Sequence, residues 1–434
     1  MPRVAEPVQM YLAAGSSALG TIMRGDLSFK GTTATHAGHN THAFAAKFPP
    51  QLPHEFILHL TEPGERVLDP MAGSGTALIE AARLGRSGIG VDLDPLAIRI
   101  CAAKTTPLDP EIAERLAQSI DDDARHTLSR HGDAYADKVL DSLDSVTREF
   151  VEYWFLRDTT AELGALAKAI VRRTAPPYRV FFEVLLSSII VTKSGGVSLA
   201  RDLAHTRPHK VADKKIKNAV DAFKAKAVRS IRTLADLENF PGSAHALTGD
   251  SKRLPLGDET VDLIVTSPPY ANAIDYVRAH KFSLVWLGYN IGDLARHRGR
   301  YIGAERRPDE DEELKSDTGT ATFRKLRERD RARSAIVRRY FLEMTASLGE
   351  MHRVLRPGKA AIVVVGPSTI RGLAVDTALI LAEIGEQIGF QLVGLKEREI
   401  DRNRRLMPIS HQSDQQGIEA RMHREHVIAF LKPA

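Results

Sequence analysis

Apolar and polar positions along the chain fall into two rhythms. Short runs rich in Val, Ile and Leu recur at Arg66-Val67-Leu68, Ser87–Val91, Ala246–Thr248, Val261–Val265, Ala361–Val365, Phe390–Leu395 and Val427–Leu431. Runs of this length and makeup read as strands buried on both faces of a mostly parallel sheet. Helical spacing covers about Leu52–Leu60, Thr76–Leu84, the stretch through Trp286, and Tyr340–Leu355. Strands and helices alternate up to Ala103 and again from Ala246, which predicts an α/β fold of about seven strands flanked by helices.

Three stretches break the alternation. Residues 1–40 mix Gly, Thr, Ala and His with weak periodicity and read as an N-terminal arm, poorly ordered or loosely docked. From Asp109 to about Glu238 the pattern is largely helical, too long for a crossover between two strands, so 105–245 reads as a helical insertion between a first catalytic part, 41–104, and a second, 246–434. Residues 296–335 are highly charged and poor in apolar positions, and read as a mobile excursion within that second part.

Composition narrows the class. At 434 residues and 43% hydrophobic the chain can bury a large core. A single cysteine, Cys101, excludes an internal disulfide framework and fits a reducing cytoplasm. The opening MPRVAEPVQM lacks a signal-peptide layout, and no apolar run approaches a bilayer span, so a soluble cytoplasmic protein without membrane contact is expected. The net charge of +5 is mild, but it clusters: between Arg201 and Arg232 ten basic residues stand against Asp202, Asp213 and Asp221. Lys214, Lys215 and Lys217 are the centre of that stretch and the best phosphate-contact candidates, with Arg404 and Arg405 in a later basic loop; a solvated helix face is the alternative. His36, His39 and His42 have no cysteine or nearby acid to complete a metal site, and no metal is expected.

Two loops carry chemistry. After the first strand, Asp69-Pro70-Met71-Ala72-Gly73-Ser74-Gly75-Thr76 turns into a helix, with glycines that let the backbone approach a ligand and a helix start that offers unpaired N–H groups. The second strand ends in Asp92-Leu93-Asp94-Pro95, where an acid can hold ribose hydroxyls. Position 78 is leucine where a dinucleotide fingerprint has its third glycine, and Asp69 would repel a pyrophosphate, which disfavours a nicotinamide enzyme. The second loop is Thr266-Ser267-Pro268-Pro269-Tyr270, directly after the strand Val261–Val265. Two prolines cannot continue the ladder, so the chain leaves the sheet stiffly with a hydroxyl, a carbonyl and an aromatic ring, a set suited to a planar group bearing an amine.

Ser267-Pro268-Pro269-Tyr270 resembles the catalytic motif of the DNA amino-methyltransferases, which methylate N4 of cytosine or N6 of adenine; the Asp69–Thr76 loop matches their cofactor loop. The segment Ala43–Pro50 is similar to the stretch by which they contact the methionine end of S-adenosylmethionine. The resemblance covers about 41–104 and 246–432. It implies a Rossmann-like methyltransferase fold with S-adenosylmethionine as cofactor. Lys47, Phe48, Asp69, Met71, Gly73, Gly75 and Thr76 would then lie on its methionine and ribose side, Asp92 on the ribose hydroxyls, Leu93 against the adenine, and Asp250 with Ser251 near the adenine amine. Ser267 and the Pro268 carbonyl would accept from a flipped base stacked on Tyr270. Asn272, Asp275 and Tyr276 follow that loop closely enough to reach the base.

The serine form of the motif is commoner among N4-cytosine enzymes, so that reaction on double-stranded DNA is the leading expectation, with N6-adenine next. An RNA or protein-amide methyltransferase and a catalytically silent nucleic-acid-binding protein stand behind them. C5-cytosine chemistry needs a cysteine nucleophile, for which Cys101 is wrongly placed. A cognate restriction endonuclease and the oligomeric state are left open.

Overall fold

Alternation along the central strands sends successive side chains into two separate cores. Val67, Leu263, Val265, Ile362 and Val364 face one side of the sheet, and Leu68, Ile264, Ala361, Val363 and Val365 the other. Burial on both faces is what makes these strands continuous apolar runs in the sequence. The computed structural model describes residues 11–12, 17–32, 38–44, 47–192, 196–201, 209–235, 240–271, 276–304, 314–401 and 422–434.

The strands are β1 (Tyr11–Leu12), β2 (Arg66–Asp69), β3 (Ser87–Asp92), β4 (Ser243–Thr248), β5 (Val261–Thr266), β6 (Leu355–Val365), β7 (Ser368–Ile370), β8 (Leu373–Val375), β9 (Gln391–Glu399) and β10 (Arg424–Leu431). All but the β7–β8 hairpin join one sheet in the order β1-β9-β10-β6-β5-β2-β3-β4. The run β4-β3-β2-β5-β6 is parallel, while β10 lies antiparallel to both β6 and β9. Seven substantial strands plus the two-residue β1 make the expected Rossmann-like sheet. Strand order reverses between β2 and β5, and the carboxyl ends at such a switch point are where α/β sheets leave a crevice.

Helices α1 (Ala18–Arg24), α2 (Gln51–Leu60) and α3 (Thr76–Arg83) cover one face, and α4 (Pro95–Thr105) leads into the insertion. Among the described residues the insertion comprises six helices: α5 (Pro110–His131), α6 (Ala134–Leu140), α7 (Ser145–Trp154), α8 (Arg157–Arg173), α9 (Tyr178–Ile190) and α10 (Ala219–Ile231). Its core is continuous with Leu96 and Ile100 of α4 and with Val277 and Phe282 of α11 (Tyr276–Leu284). The insertion is therefore packed onto the catalytic domain rather than tethered to it. Helix α12 (Ile291–Arg298) packs on α7 and α11, while α13 (Asp317–Arg329), α14 (Arg331–Val354) and α15 (Thr377–Ile388) complete the other face.

Two stretches differ from the sequence reading. Ser17 caps α1 and Leu19, Ile22, Met23 and Leu27 are buried against the sheet, so residues 17–32 are docked rather than loose. Seven helical residues are too few to display a period. The charged stretch 296–335 is largely helical where described, because α13 needs only Phe323 and Leu326 to bury one face while the rest stays polar. Among the described residues no helix is long and apolar enough to cross a membrane.

Candidate active site

The crevice at the switch point is a cleft walled by the loops that follow β2, β3 and β5. Its floor is the loop after β2. Gly75 takes a left-handed conformation (φ 74°) as the N-cap of α3, and a Cβ there would meet Cys101 Sγ at 3.0 Å. Gly75 thus shapes the loop from beneath while Asp69, Met71, Gly73 and Thr76 line the cleft. The loop is pinned from below as well: the buried Lys104 ammonium donates to the Ser74 carbonyl at 3.1 Å.

Asp92, at the end of β3, organises the loop and the cleft together. Its carboxylate accepts the Gly73 N–H at 2.8 Å and the Asp94 N–H at 2.9 Å, and retains lone pairs for a ligand. Burial pushes Asp92 up to about 6, with the neighbouring Asp94 adding to the shift. Burial likewise lifts Asp69 to about 7, against the lowering effect of hydrogen bonds from Thr266 and the Met71 N–H. Two desolvated acids at one cleft favour a cationic ligand, which would restore their charge.

Asp94 does a different job. It caps α4 by accepting from the Leu96 and Ala97 N–H groups and binds His280 Nδ1 at 2.6 Å. Burial raises its pKa, but His280 and the two N–H groups outweigh that and hold it low. This bond ties α11 to the start of α4. On the same helix Tyr276 stacks on Phe44 at 5.4 Å, and both rings wall the cleft.

The segment carrying Phe44 is docked through its histidines. His39 Nε2 meets the buried Glu80 at 2.8 Å and His42 Nε2 meets Ser187 at 2.8 Å, while Lys47 donates to the His39 carbonyl at 2.8 Å. His36 lies outside the described residues, and among those described no group of three potential ligands could hold a metal. Lys47 and Phe48 both line the cleft, and Phe48 is also buried in the core.

The second loop enters from β5. Thr266 Oγ1 donates to Asp69 at 2.6 Å across the switch point, joining the two loops directly. Ser267 and Pro269 line the cleft, and Pro268 is buried behind them. Tyr270 is placed otherwise than a stacking platform requires. Its ring is 6% exposed, packed with Ile400 and Met422, and its hydroxyl donates to Glu425 at 2.7 Å. The aromatic walls of the cleft are instead Phe44, Phe48, Tyr276 and Tyr301.

Leu93, Gly249 and Ser251 line the far end. Asp250 is not among the lining residues; its carboxylate accepts the Lys252 N–H at 3.0 Å and faces the Lys252 ammonium at 3.6 Å. Tyr301 and Ile302 close this end, a contribution the sequence reading missed. Their loop is held by the Gly303 N–H to Glu343 at 2.9 Å and by Lys252 to the Arg300 carbonyl at 2.8 Å.

Of the expected DNA contacts, Asn272, Asp275, Arg404 and Arg405 lie outside the described residues. Lys215 and Lys217 are exposed. Lys214 is half-buried and donates to the Ser198 and Ala200 carbonyls, both at 2.7 Å, so it braces the chain before α10.

An adenosine bearing a sulfonium and an α-amino acid fits this set of groups: a carboxylate with free lone pairs at Asp92, aromatic and apolar walls, and acids whose charge burial has suppressed. A DNA methylase family model matches residues 26–103. The chain is 24% identical over 392 residues to the type II methyltransferase M.MvaI of Kocuria varians, spanning 82% of this chain and 83% of that protein. It is 24% identical over 402 residues to M.BsoBI of Geobacillus stearothermophilus, spanning 77% and 75%. Its glycine loop, acids and Ser-Pro-Pro-Tyr turn converge on one crevice, and over residues 26–103 and across most of its length the chain is similar to DNA methylases and type II methyltransferases.

Proposed function

We propose that this enzyme methylates the exocyclic N4 amine of a cytosine flipped out of double-stranded DNA. The observation that carries the reading is that Ser267 and Pro269 line the same cleft as Asp69, Gly73 and Asp92. When bound, S-adenosylmethionine supplies an electrophilic methyl on sulfur. The chain's part is placement. Asp92 holds the ribose, Asp69 and the loop hold the charged end, and Ser267 Oγ with the Pro268 carbonyl accepts hydrogen bonds from the amine.

An arylamine is a weak nucleophile because its lone pair is delocalised into the ring. Two acceptors on its hydrogens favour a more tetrahedral nitrogen whose lone pair points at the methyl. Orientation and water exclusion account for most of the remaining acceleration. Flipping the base costs a few kcal/mol, which contacts with the cleft's aromatic walls can offset at roughly 1–3 kcal/mol per stacked base.

The test is product identity. Labelled cofactor and mixed-sequence duplex DNA are incubated with the enzyme, digested to nucleosides and analysed by mass spectrometry. Label in N4-methylcytosine is expected. Label in N6-methyladenine would keep the mechanism and move the target to adenine, and label in neither, nor in a parallel RNA sample, would overturn the catalytic reading.

We also assign DNA contact to the insertion, on the support of exposed Lys215 and Lys217 just before α10. Reversing both charges is expected to weaken DNA binding and flatten the slope of log affinity against log salt by about 2. An unchanged slope would move the phosphate contacts elsewhere. Lys214 is kept out of this variant because losing its two carbonyl contacts would disturb the fold itself.

A further inference from the structure

A base presented to Ser267 needs an aromatic neighbour, and Tyr270 is committed elsewhere. A Cβ on Gly366, just after β6, would meet Tyr270 Cε2 at 2.7 Å and Met422 Sδ at 2.5 Å, so the ring fills a seat that glycine leaves open for it. Its phenol donates to Glu425 on β10 at 2.7 Å. Swinging this ring into the cleft would break that bond and empty a close-packed seat.

Among the described residues four aromatic side chains line the cleft, and three of them face other tasks. Phe48 is buried in the core on the α2 side of the sheet. Phe44 lies on the cofactor loop, where a Cβ on Gly73 would meet its Cε1 at 3.1 Å. Tyr301 closes the far end together with Ile302. Tyr276 differs from all three. It packs against the cluster of Tyr270, Ile400 and Met422, and it also stacks on Phe44 with ring centroids 5.4 Å apart and planes 21° apart. Tyr276 thus bridges the Ser267–Tyr270 loop and the ring that covers Gly73, the interval a methyl group must cross from sulfur to amine. Its helix holds it there, because His280, one turn on, meets Asp94 at 2.6 Å and Phe282 is buried in the core of the insertion.

We propose that Tyr276, seated on Phe44, is the ring that packs against the flipped base, in place of Tyr270. Such a contact reads no hydrogen-bond pattern, since every base has a π face, so it serves cytosine and adenine alike and leaves the choice between them to other groups. The inference rests on the reading of this chain as a methyltransferase of base amines and adds to it a base-binding residue outside the Ser267–Tyr270 loop.

The test has two arms. In the first, the wild-type enzyme with S-adenosylhomocysteine is irradiated on mixed-sequence duplex DNA carrying 5-iodocytosine, a base that crosslinks to aromatic rings it touches, and the crosslinked peptides are mapped by mass spectrometry. A parallel duplex carrying 8-bromoadenine covers an adenine target. Crosslinking at Tyr276 is expected. Crosslinking at Tyr270, or at neither tyrosine, would overturn the inference.

The second arm compares single-turnover methyl transfer at saturating S-adenosylmethionine in Tyr276→Phe and Tyr276→Leu. Phenylalanine keeps the ring and should stay within threefold of wild type. Leucine keeps apolar bulk without a π face and should slow transfer about 30-fold while cofactor affinity stays within threefold. A leucine variant that keeps its rate and loses cofactor affinity would make Tyr276 a wall of the cofactor site and sink the inference, as would a phenylalanine variant as slow as the leucine one. If Tyr276→Leu fails to fold, the crosslinking arm decides. A wild type that methylates no nucleic acid removes the proposed function and this inference with it, whereas DNA methylation that survives Tyr276→Leu at full rate counts against the inference alone.

Discussion

Ser267→Ala is expected to lower the rate of methyl transfer by about 10- to 100-fold while changing cofactor affinity less than twofold. The size follows from removing one acceptor for a hydrogen bond that strengthens as the amine nitrogen gains positive charge, a charge-assisted bond of about 1.5–3 kcal/mol. The selectivity follows from where the groups sit. Ser267 lies on the β5 side of the cleft, and the acids and glycines assigned to the cofactor come from the loops after β2 and β3. Alanine also leaves the Thr266 bond to Asp69 in place, so the two loops stay joined. Single-turnover kinetics with a matched cofactor titration checks both halves, and a variant that keeps most of its rate would remove Ser267 from the chemistry.

Asp92→Ala is expected to weaken S-adenosylmethionine binding by about 100-fold, because it removes the ribose acceptor and frees the Gly73 N–H that the carboxylate holds. The same acids predict a pH dependence in the wild type. With Asp69 pushed up to about 7 and Asp92 to about 6, the free site is largely protonated at pH 6, and a cationic ligand must displace those protons. Affinity should therefore rise about 15-fold from pH 6 to pH 7.5 if both acids must ionise. S-adenosylhomocysteine, which lacks the sulfonium charge, should show a weaker dependence, as should Asp69→Asn with the natural cofactor. Affinity flat across this range would mean that neither acid senses the ligand's charge.

Stability moves the opposite way in the free protein. Burial raises both folded-state pKa values above the unfolded ones, so the protonated acids stabilise the fold at low pH and that contribution is lost as pH rises through about 6 to 7. The rise in melting temperature on adding cofactor should accordingly be larger at pH 7.5 than at pH 6.

The parts of this site that could be read in the sequence are those set by adjacent residues. Asp69 to Thr76 and Ser267 to Tyr270 each bring their own turn chemistry, and Asp92 follows from the end of a strand. Partners supplied from a distance could not be read. Glu425 reaches Tyr270 across 155 residues, and Tyr301 and Ile302 sit in a stretch whose charge suggested a mobile excursion. Tyr276 lines the cleft and stacks on Phe44, a placement helped by the His280–Asp94 contact between α11 and the start of α4, 186 positions apart in the chain. The N-terminal segment was misread for a related reason: its few apolar residues are complementary to a sheet face that exists only once β9 and β10 are in place.

The placement of the insertion also bears on how the chain assembles. Arg66 on β2 bonds to Asp262 on β5 across 196 residues, and closing a flexible loop of that length costs roughly 5 kcal/mol in chain entropy before any contact rewards it. Helices α5 to α10 pack on one another and share their core with α4, which follows β3, and with α11, which follows the Ser267–Tyr270 loop. A helical body that condenses first would shorten this effective loop, so substitutions that loosen the core of the insertion are expected to slow the pairing of β5 with β2 as well as to destabilise the helices.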